Sequence, residues 1–274
     1  MNLLDYTINF CRENGIKPAR SKGQNFLIGE SVYDQIVAAA EINSDDIVME
    51  VGPGLGFLTE KICERAKKVL TIELDDKIFV LLQKKIVEKN LNNLEAHNLN
   101  VLDFRLDEWA EREKYKIVAN LPYNITSVFL RKFLSSDFPP ESLVLMLQKE
   151  VAERIAARPG KMSLLAVSVQ FYADAEVVLS VPSEKFWPAP EVDSAVIKIV
   201  ARKKYADIDE DKFFQLVKIG FSAKRKMLKN NLAAGFHISM DEASKKIVQA
   251  GFDEKVRAQE LGVGDWVVLL KEFL

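Results

Sequence analysis

The chain has 274 residues, 48% hydrophobic and 28% charged, with 38 Lys and Arg against 40 Asp and Glu for a net charge of −2. That composition excludes a disordered chain, and no apolar run reaches the roughly 18 residues of a membrane-spanning helix. Cys11 and Cys63 are too few for a disulfide scaffold, and the N-terminus has no signal-peptide core, so a cytoplasmic location is expected.

Residues 3 to 14 have the periodicity of an amphipathic helix, ended by Gly15 and Pro18. A basic stretch runs from Lys17 to Asn25, and a helix is expected over 31 to 41 with Ser31 as its N-cap. Strands and helices then alternate. Strands are expected at 47–51, 69–72, 94–98, 116–119 and 143–147, and helices at 56–66, 76–89, 126–135 and 149–158. Two further β-rich runs cover 163–172 and 192–200. After Arg202-Lys203-Lys204 the pattern turns helical to the end. The alternation predicts an α/β fold, a mostly parallel sheet with helices on both faces over residues 1–202, followed by a small all-α domain over 203–274.

Glu50-Val51-Gly52-Pro53-Gly54-Leu55-Gly56 lies between a predicted strand and a predicted helix, where α/β sheets bind nucleotide-like ligands. Gly52, Gly54 and Gly56 follow G-x-G-x-G, not the G-x-G-x-x-G that seats a pyrophosphate on a helix N-terminus. Glu50 beside the loop suits a cation, such as the sulfonium of S-adenosylmethionine. Glu73, at the end of the next strand, can accept both ribose hydroxyl protons. Asn100, after the third strand, can bond the cofactor's adenine edge.

Asn120-Leu121-Pro122-Tyr123 follows the strand at 116–119. Adenine's exocyclic amine is a poor nucleophile because its lone pair is delocalised into the ring. Acceptors on both N–H bonds localise that pair. The Asn120 side-chain oxygen is one acceptor, and a backbone carbonyl beside Pro122 is the other. Tyr123 offers a face for the base.

With these motifs the sequence resembles the ribosomal RNA adenine dimethylase family, and its small-subunit branch in particular. The resemblance is carried by Ser21-Lys22-Gly23-Gln24-Asn25-Phe26-Leu27, by the two motifs above, the second extended to Asn124, by Phe186-Trp187-Pro188-Ala189-Pro190-Glu191-Val192-Asp193-Ser194-Ala195-Val196, and by Phe221 to Leu232 with Arg257-Ala258-Gln259-Glu260-Leu261. It implies a Rossmann-like class I methyltransferase sheet of seven strands and transfer of four methyls to two adjacent adenosines near the 3′ end of small-subunit rRNA. It further implies Asn25, Leu27, Gly52, Glu73 and Asn120 at the cofactor, and Phe186 stacked on the target adenine opposite Tyr123. Members of that family usually have Asp where this chain has Asn100, with Asp103 the lesser candidate for that role.

Lys224, Arg225, Lys226 and Lys229 form a basic cluster without an acid between them, and Lys22 belongs to a second cluster. Both suit phosphate contacts despite the near-zero total charge. His97 and His237 are isolated, so no metal site is expected. The expected partner is small-subunit rRNA in a 30S precursor, bound by a monomer. The alternatives are a 23S rRNA methyltransferase of the antibiotic-resistance type, usually more basic, a DNA adenine methyltransferase, which would need a separate recognition domain, and a non-catalytic assembly factor.

Overall fold

The computed structural model describes residues 2–18, 24–106, 113–122 and 125–274. Its strands, in chain order, are β1 (Phe26–Leu27), β2 (Ile47–Val51), β3 (Lys68–Glu73), β4 (Leu94–Asn98), β5 (Tyr115–Asn120), β6 (Ser142–Gln148), β7 (Ala173–Val181), β8 (Phe186–Trp187) and β9 (Ser194–Ala201). Seven of them form one sheet in the order β4-β3-β2-β5-β6-β9-β7, and β1 and β8 form a separate two-stranded ladder. Strands β4, β3, β2, β5 and β6 are parallel to one another, and β9 runs antiparallel to β6.

The helices of the first part are α1 (Leu3–Glu13), α2 (Glu30–Ala40), α3 (Phe57–Cys63), α4 (Asp76–Glu88) and α5 (Thr126–Leu134). Both faces of the central strands are buried, as their continuous apolar runs require. Val48, Val69, Val118, Val144 and Val196 lie in one core with residues of α2 and α3. The alternate residues Met49, Leu70, Ile117, Leu145 and Ile197 point the other way and are also buried. Helix α2 begins on Gly29 without a side-chain cap, not on the expected Ser31.

Helices α6 (Lys149–Ile155), α7 (Leu164–Gln170), α8 (Glu210–Gly220), α9 (Leu228–Phe236), α10 (Met240–Gln249) and α11 (Val263–Phe273) follow. Two compact units result, one of residues 1–152 with 175–201 and one of residues 153–174 with 202–274. The second unit's core is built on Trp266, Phe213 and Phe171, and a Cβ on Gly220 would meet the Trp266 ring at 2.3 Å.

The run expected as β over 163–172 is α7 instead. The Ser163 hydroxyl oxygen accepts from the Ala166 N–H at 3.1 Å and caps the helix. A short apolar run has no periodicity that separates a buried helix from a strand, and the cap decides it. The strand comes later, as β7.

Candidate active site

Register brings the site together. Glu50 pairs with Thr71 on one side and Val118 on the other, so Glu50, Thr71 and Val118 share one face of the sheet. Asn120 lies two residues on from Val118 and pairs with Met146. Glu50, Asn120 and Met146 all line a cleft beyond the carboxyl ends of these strands, whose other walls include Asn25, Leu27, Tyr33, Phe57, Gly52 and Gly54. The cleft holds about 440 Å³ of space, part of it open solvent.

The three loop glycines have φ of +70°, +56° and +76°. Gly52 continues β2, donating its N–H to the Ile72 carbonyl at 3.0 Å, and faces the Asn120 carbonyl. Gly56 faces outward instead. A Cβ there would lie 3.2 Å from the Lys85 Cδ and 3.3 Å from Leu82 Cδ1, so this glycine, expected at the cofactor, makes room for α4. It does not line the cleft.

Two carboxyls give the cleft its electrostatics. Glu50 is 1% exposed, its Oε2 accepts from the Thr59 hydroxyl at 2.6 Å, and its Oε1 is buried without a partner. Burial pushes its pKa up to about 8, opposed by the Thr59 bond and reinforced by the charge of Glu73. Burial also raises the Glu73 carboxyl, while the backbone N–H groups of Asp75, Gly54 and Leu74 hold it down. The Gly54 contact ties the glycine loop to the end of β3.

Strand β1, held in a ladder with β8, supplies the remaining wall. Phe26 pairs with Trp187 and Leu27 with Phe186. The Tyr33 hydroxyl donates to the Leu27 carbonyl at 2.7 Å and fixes the strand beside the cleft. Phe186 was expected as a stacking face for the target base. Its ring is buried instead, 4% exposed, in the core that holds Leu27 and Tyr33, because alternation along β8 turns it inward and leaves Trp187 partly exposed.

Asn100 does not line the cleft. Its Oδ1 accepts from the Leu102 N–H at 3.0 Å and closes a turn just after β4. Leu121 is buried, and the Pro122 carbonyl accepts from the Ile125 N–H at 3.3 Å. Tyr123 and Lys22 lie outside the described residues. In the second unit Lys224, Arg225 and Lys226 are exposed on the turn between α8 and α9. Lys229 is set apart from them, its side chain 18% exposed and paired with Glu254 at 3.1 Å. The acid that compensates it is 25 residues away in sequence, and so invisible to a reading of the local run.

The donor set fits S-adenosylmethionine. Among the described residues the cleft has no Lys or Arg on its walls, only the buried carboxyl of Glu50 with one unpartnered oxygen, and a loop whose glycines leave its floor open to a ligand, while the second buried carboxyl, Glu73, stands behind that loop at the end of β3. A cation satisfies such a site and a pyrophosphate does not. Sequence reasoning missed Tyr33, Phe57 and Lys85. Lys85 had a signal, since Ile78, Leu82 and Lys85 fall at i, i+4 and i+7, which puts a lysine on the helix's buried stripe.

Comparison with known proteins agrees with this geometry. The family model for ribosomal RNA adenine dimethylase matches residues 16–273. A protein of Dehalococcoides mccartyi named ribosomal RNA small subunit methyltransferase A is 42% identical, with 94% of this chain and 89% of the relative covered. One of the same name from Clostridioides difficile is 38% identical, with 96% and 93% covered. The crystal structure of a dimethyladenosine transferase from Plasmodium falciparum superposes with a TM-score of 0.80 at 28% identity, covering 90% of this chain and 97% of that one. The fold is shared with the 23S rRNA methyltransferase ErmE, at a TM-score of 0.74, 24% identity, and 91% and 99% coverage. The chain belongs to the ribosomal RNA adenine dimethylase family.

Proposed function

We propose that the chain dimethylates the N6 amines of two adjacent adenosines near the 3′ end of small-subunit rRNA, acting as a monomer on a 30S precursor in the cytoplasm and contributing to subunit assembly. The general reaction, S-adenosylmethionine-dependent dimethylation of adenine in ribosomal RNA, follows from membership of the family. The target is supported by the relatives named for the small subunit. The observation that carries the chemistry is Asn120, held at the end of β5 on the wall of the acidic, glycine-floored cleft.

In this reading Asn25, Leu27, Gly52 and Gly54 shape the cofactor's seat, and Glu73 accepts from its ribose hydroxyls. Asn100, outside the cleft lining in the turn after β4, would reach the cofactor's adenine only where that ring extends past the lined part of the cleft, and with its amide N–H groups, its oxygen already accepting from Leu102. Glu50, which holds a proton below a pH of about 8 in the ligand-free protein, gives it up when the cationic part of the ligand arrives, so that its Oε1 then faces that charge. When bound, the cofactor supplies a methyl group on a positively charged sulfur. Asn120 Oδ1 accepts one N–H of the target amine. The Leu121 carbonyl accepts the other, since the Pro122 carbonyl already takes the Ile125 N–H. These two acceptors localise the nitrogen lone pair and fix its direction, so positioning and electrostatics do most of the work. The amine proton leaves to water after transfer, and no strong base is needed. Tyr123 stacks on the base, and the exposed Lys224, Arg225 and Lys226, with Lys22, hold the RNA backbone.

Mass spectrometry of rRNA from cells lacking the protein tests the assignment. Two unmethylated neighbouring adenosines near the 3′ end of the small-subunit rRNA are expected. A loss confined to 23S rRNA would give the resistance-type reading, and intact methylation with defective subunits would give the assembly-factor reading.

A further inference from the structure

Lys85 stands outside the cleft yet touches three consecutive residues of the loop that bounds it, two of which, Leu55 and Phe57, line the cleft. Its ammonium donates to the Leu55 carbonyl at 2.9 Å and lies 4.7 Å from the centre of the Phe57 ring. Its stem occupies the space that a Cβ on Gly56 would need. It also pairs at 2.5 Å with Glu60 on α3, the helix that leaves the loop, and its side chain is 16% exposed. The same helix α4 starts beside Glu73, whose carboxyl receives the Gly54 N–H. The glycine loop is thus fastened to the β3–α4 connection at two successive residues, by Glu73 at Gly54 and by Lys85 at Leu55.

We propose that Lys85 is a positioning residue for the cofactor: it holds the Leu55–Phe57 stretch in the shape that S-adenosylmethionine binds, without itself entering the cleft. This rests on the cofactor reading of the cleft given above. A loop with three left-handed glycines has many alternative shapes, because glycine loses more conformational freedom on ordering than any other residue. A charged donor on one of its carbonyls selects one shape before the ligand arrives, and that preorganisation appears as affinity. Glu60 partly neutralises the ammonium, so it repels a cationic ligand less.

The test is calorimetric binding of S-adenosylmethionine and of S-adenosylhomocysteine, which lacks the sulfonium charge, to wild type and to the Lys85→Met, Lys85→Arg and Glu60→Gln variants. Lys85→Met keeps the stem and loses the donor, and is expected to weaken both ligands about tenfold, the worth of one charge-assisted bond. At saturating cofactor kcat should stay within about twofold and the KM for RNA should not move, because neither depends on loop order once the ligand is bound. Lys85→Arg should restore most of the affinity, and Glu60→Gln, which leaves the Leu55 bond in place, should bind nearly as wild type. Unchanged ligand affinity in Lys85→Met, with or without a lowered melting temperature, would overturn the proposal and leave a structural role. Tighter binding of S-adenosylmethionine but not of S-adenosylhomocysteine would overturn it too, by showing that Lys85 acts only as a repelling charge. If Lys85→Met does not fold, Lys85→Gln is put to the same measurements. Failure of the wild type to bind either ligand would instead refute the cofactor reading itself.

Discussion

A Cβ on Gly52 would lie 3.4 Å from the carbonyl oxygen of Asn120, so the glycine loop that floors the cleft passes against the backbone of the residue proposed to face the target amine. The distance is ordinary van der Waals contact, and the backbone angle, φ +70°, is the stronger constraint. Gly52→Ala should therefore cost about 1–2 kcal/mol of stability from the left-handed conformation. It should also weaken cofactor binding. A chemical-denaturation curve and a binding titration on the same variant check this, and unchanged values in both would show that the loop has room to rearrange.

Asn120→Ala should lower kcat by about 10²–10³-fold, the usual loss when one preorganised polar contact to the reacting group is removed. RNA affinity, measured by filter binding, should hold within about twofold, because the phosphate contacts lie elsewhere. A variant that loses binding and turnover together would place Asn120 in RNA recognition.

The buried Glu50 sets a pH dependence whose sign can be worked out. Its carboxyl moves from 4.5 in the unfolded chain to about 8 in the fold. Between those values the folded state holds a proton that the unfolded state has released, so stability is present at low pH and is lost as pH rises toward 8. The slope is at most about 1.4 kcal/mol per pH unit. Thr59 and Lys85 reduce the shift, whereas Glu73 adds to it. Melting of the ligand-free protein between pH 5.5 and 8 should fall more steeply for wild type than for Glu50→Gln. Saturating S-adenosylmethionine should flatten the wild-type curve. Parallel curves for the two proteins would show that Glu50 does not titrate in this range.

The basic residues of the second unit divide by pairing. Lys226→Glu should weaken RNA binding and reduce the slope of log affinity against log salt by about 1. Lys229→Ala should leave the slope unchanged and lower the melting temperature instead, since Lys229 is paired with Glu254. Equal slopes for wild type and Lys226→Glu would mean that the exposed turn is merely solvated.

Much of the site was legible because its elements are local. Strand β2 with Glu50 near its end, the G-x-G-x-G turn, Glu73 and the Asn120 motif each announce themselves within a few residues, and the parallel order of β2, β3 and β5 brings them to one end of the sheet. What was missed is non-local. The pairing of Leu27 with Phe186 joins residues 159 positions apart, and it alone decides that Phe186 turns into the core. The Lys229 pair and the Lys85 clamp are likewise set by which helices meet. Helix α7 was misread for a different reason: Leu164–Gln170 is short and mostly apolar, and the Ser163 cap is what marks it as a helix.

The central claim is tested most directly by methyl transfer from tritiated S-adenosylmethionine to unmethylated 30S subunits and to 23S rRNA, with wild type and Asn120→Ala side by side. The account predicts incorporation approaching four methyls per small subunit, none in 23S rRNA, and a deep loss with the variant. Binding of the subunit without label, or equal labelling by Asn120→Ala, would contradict it.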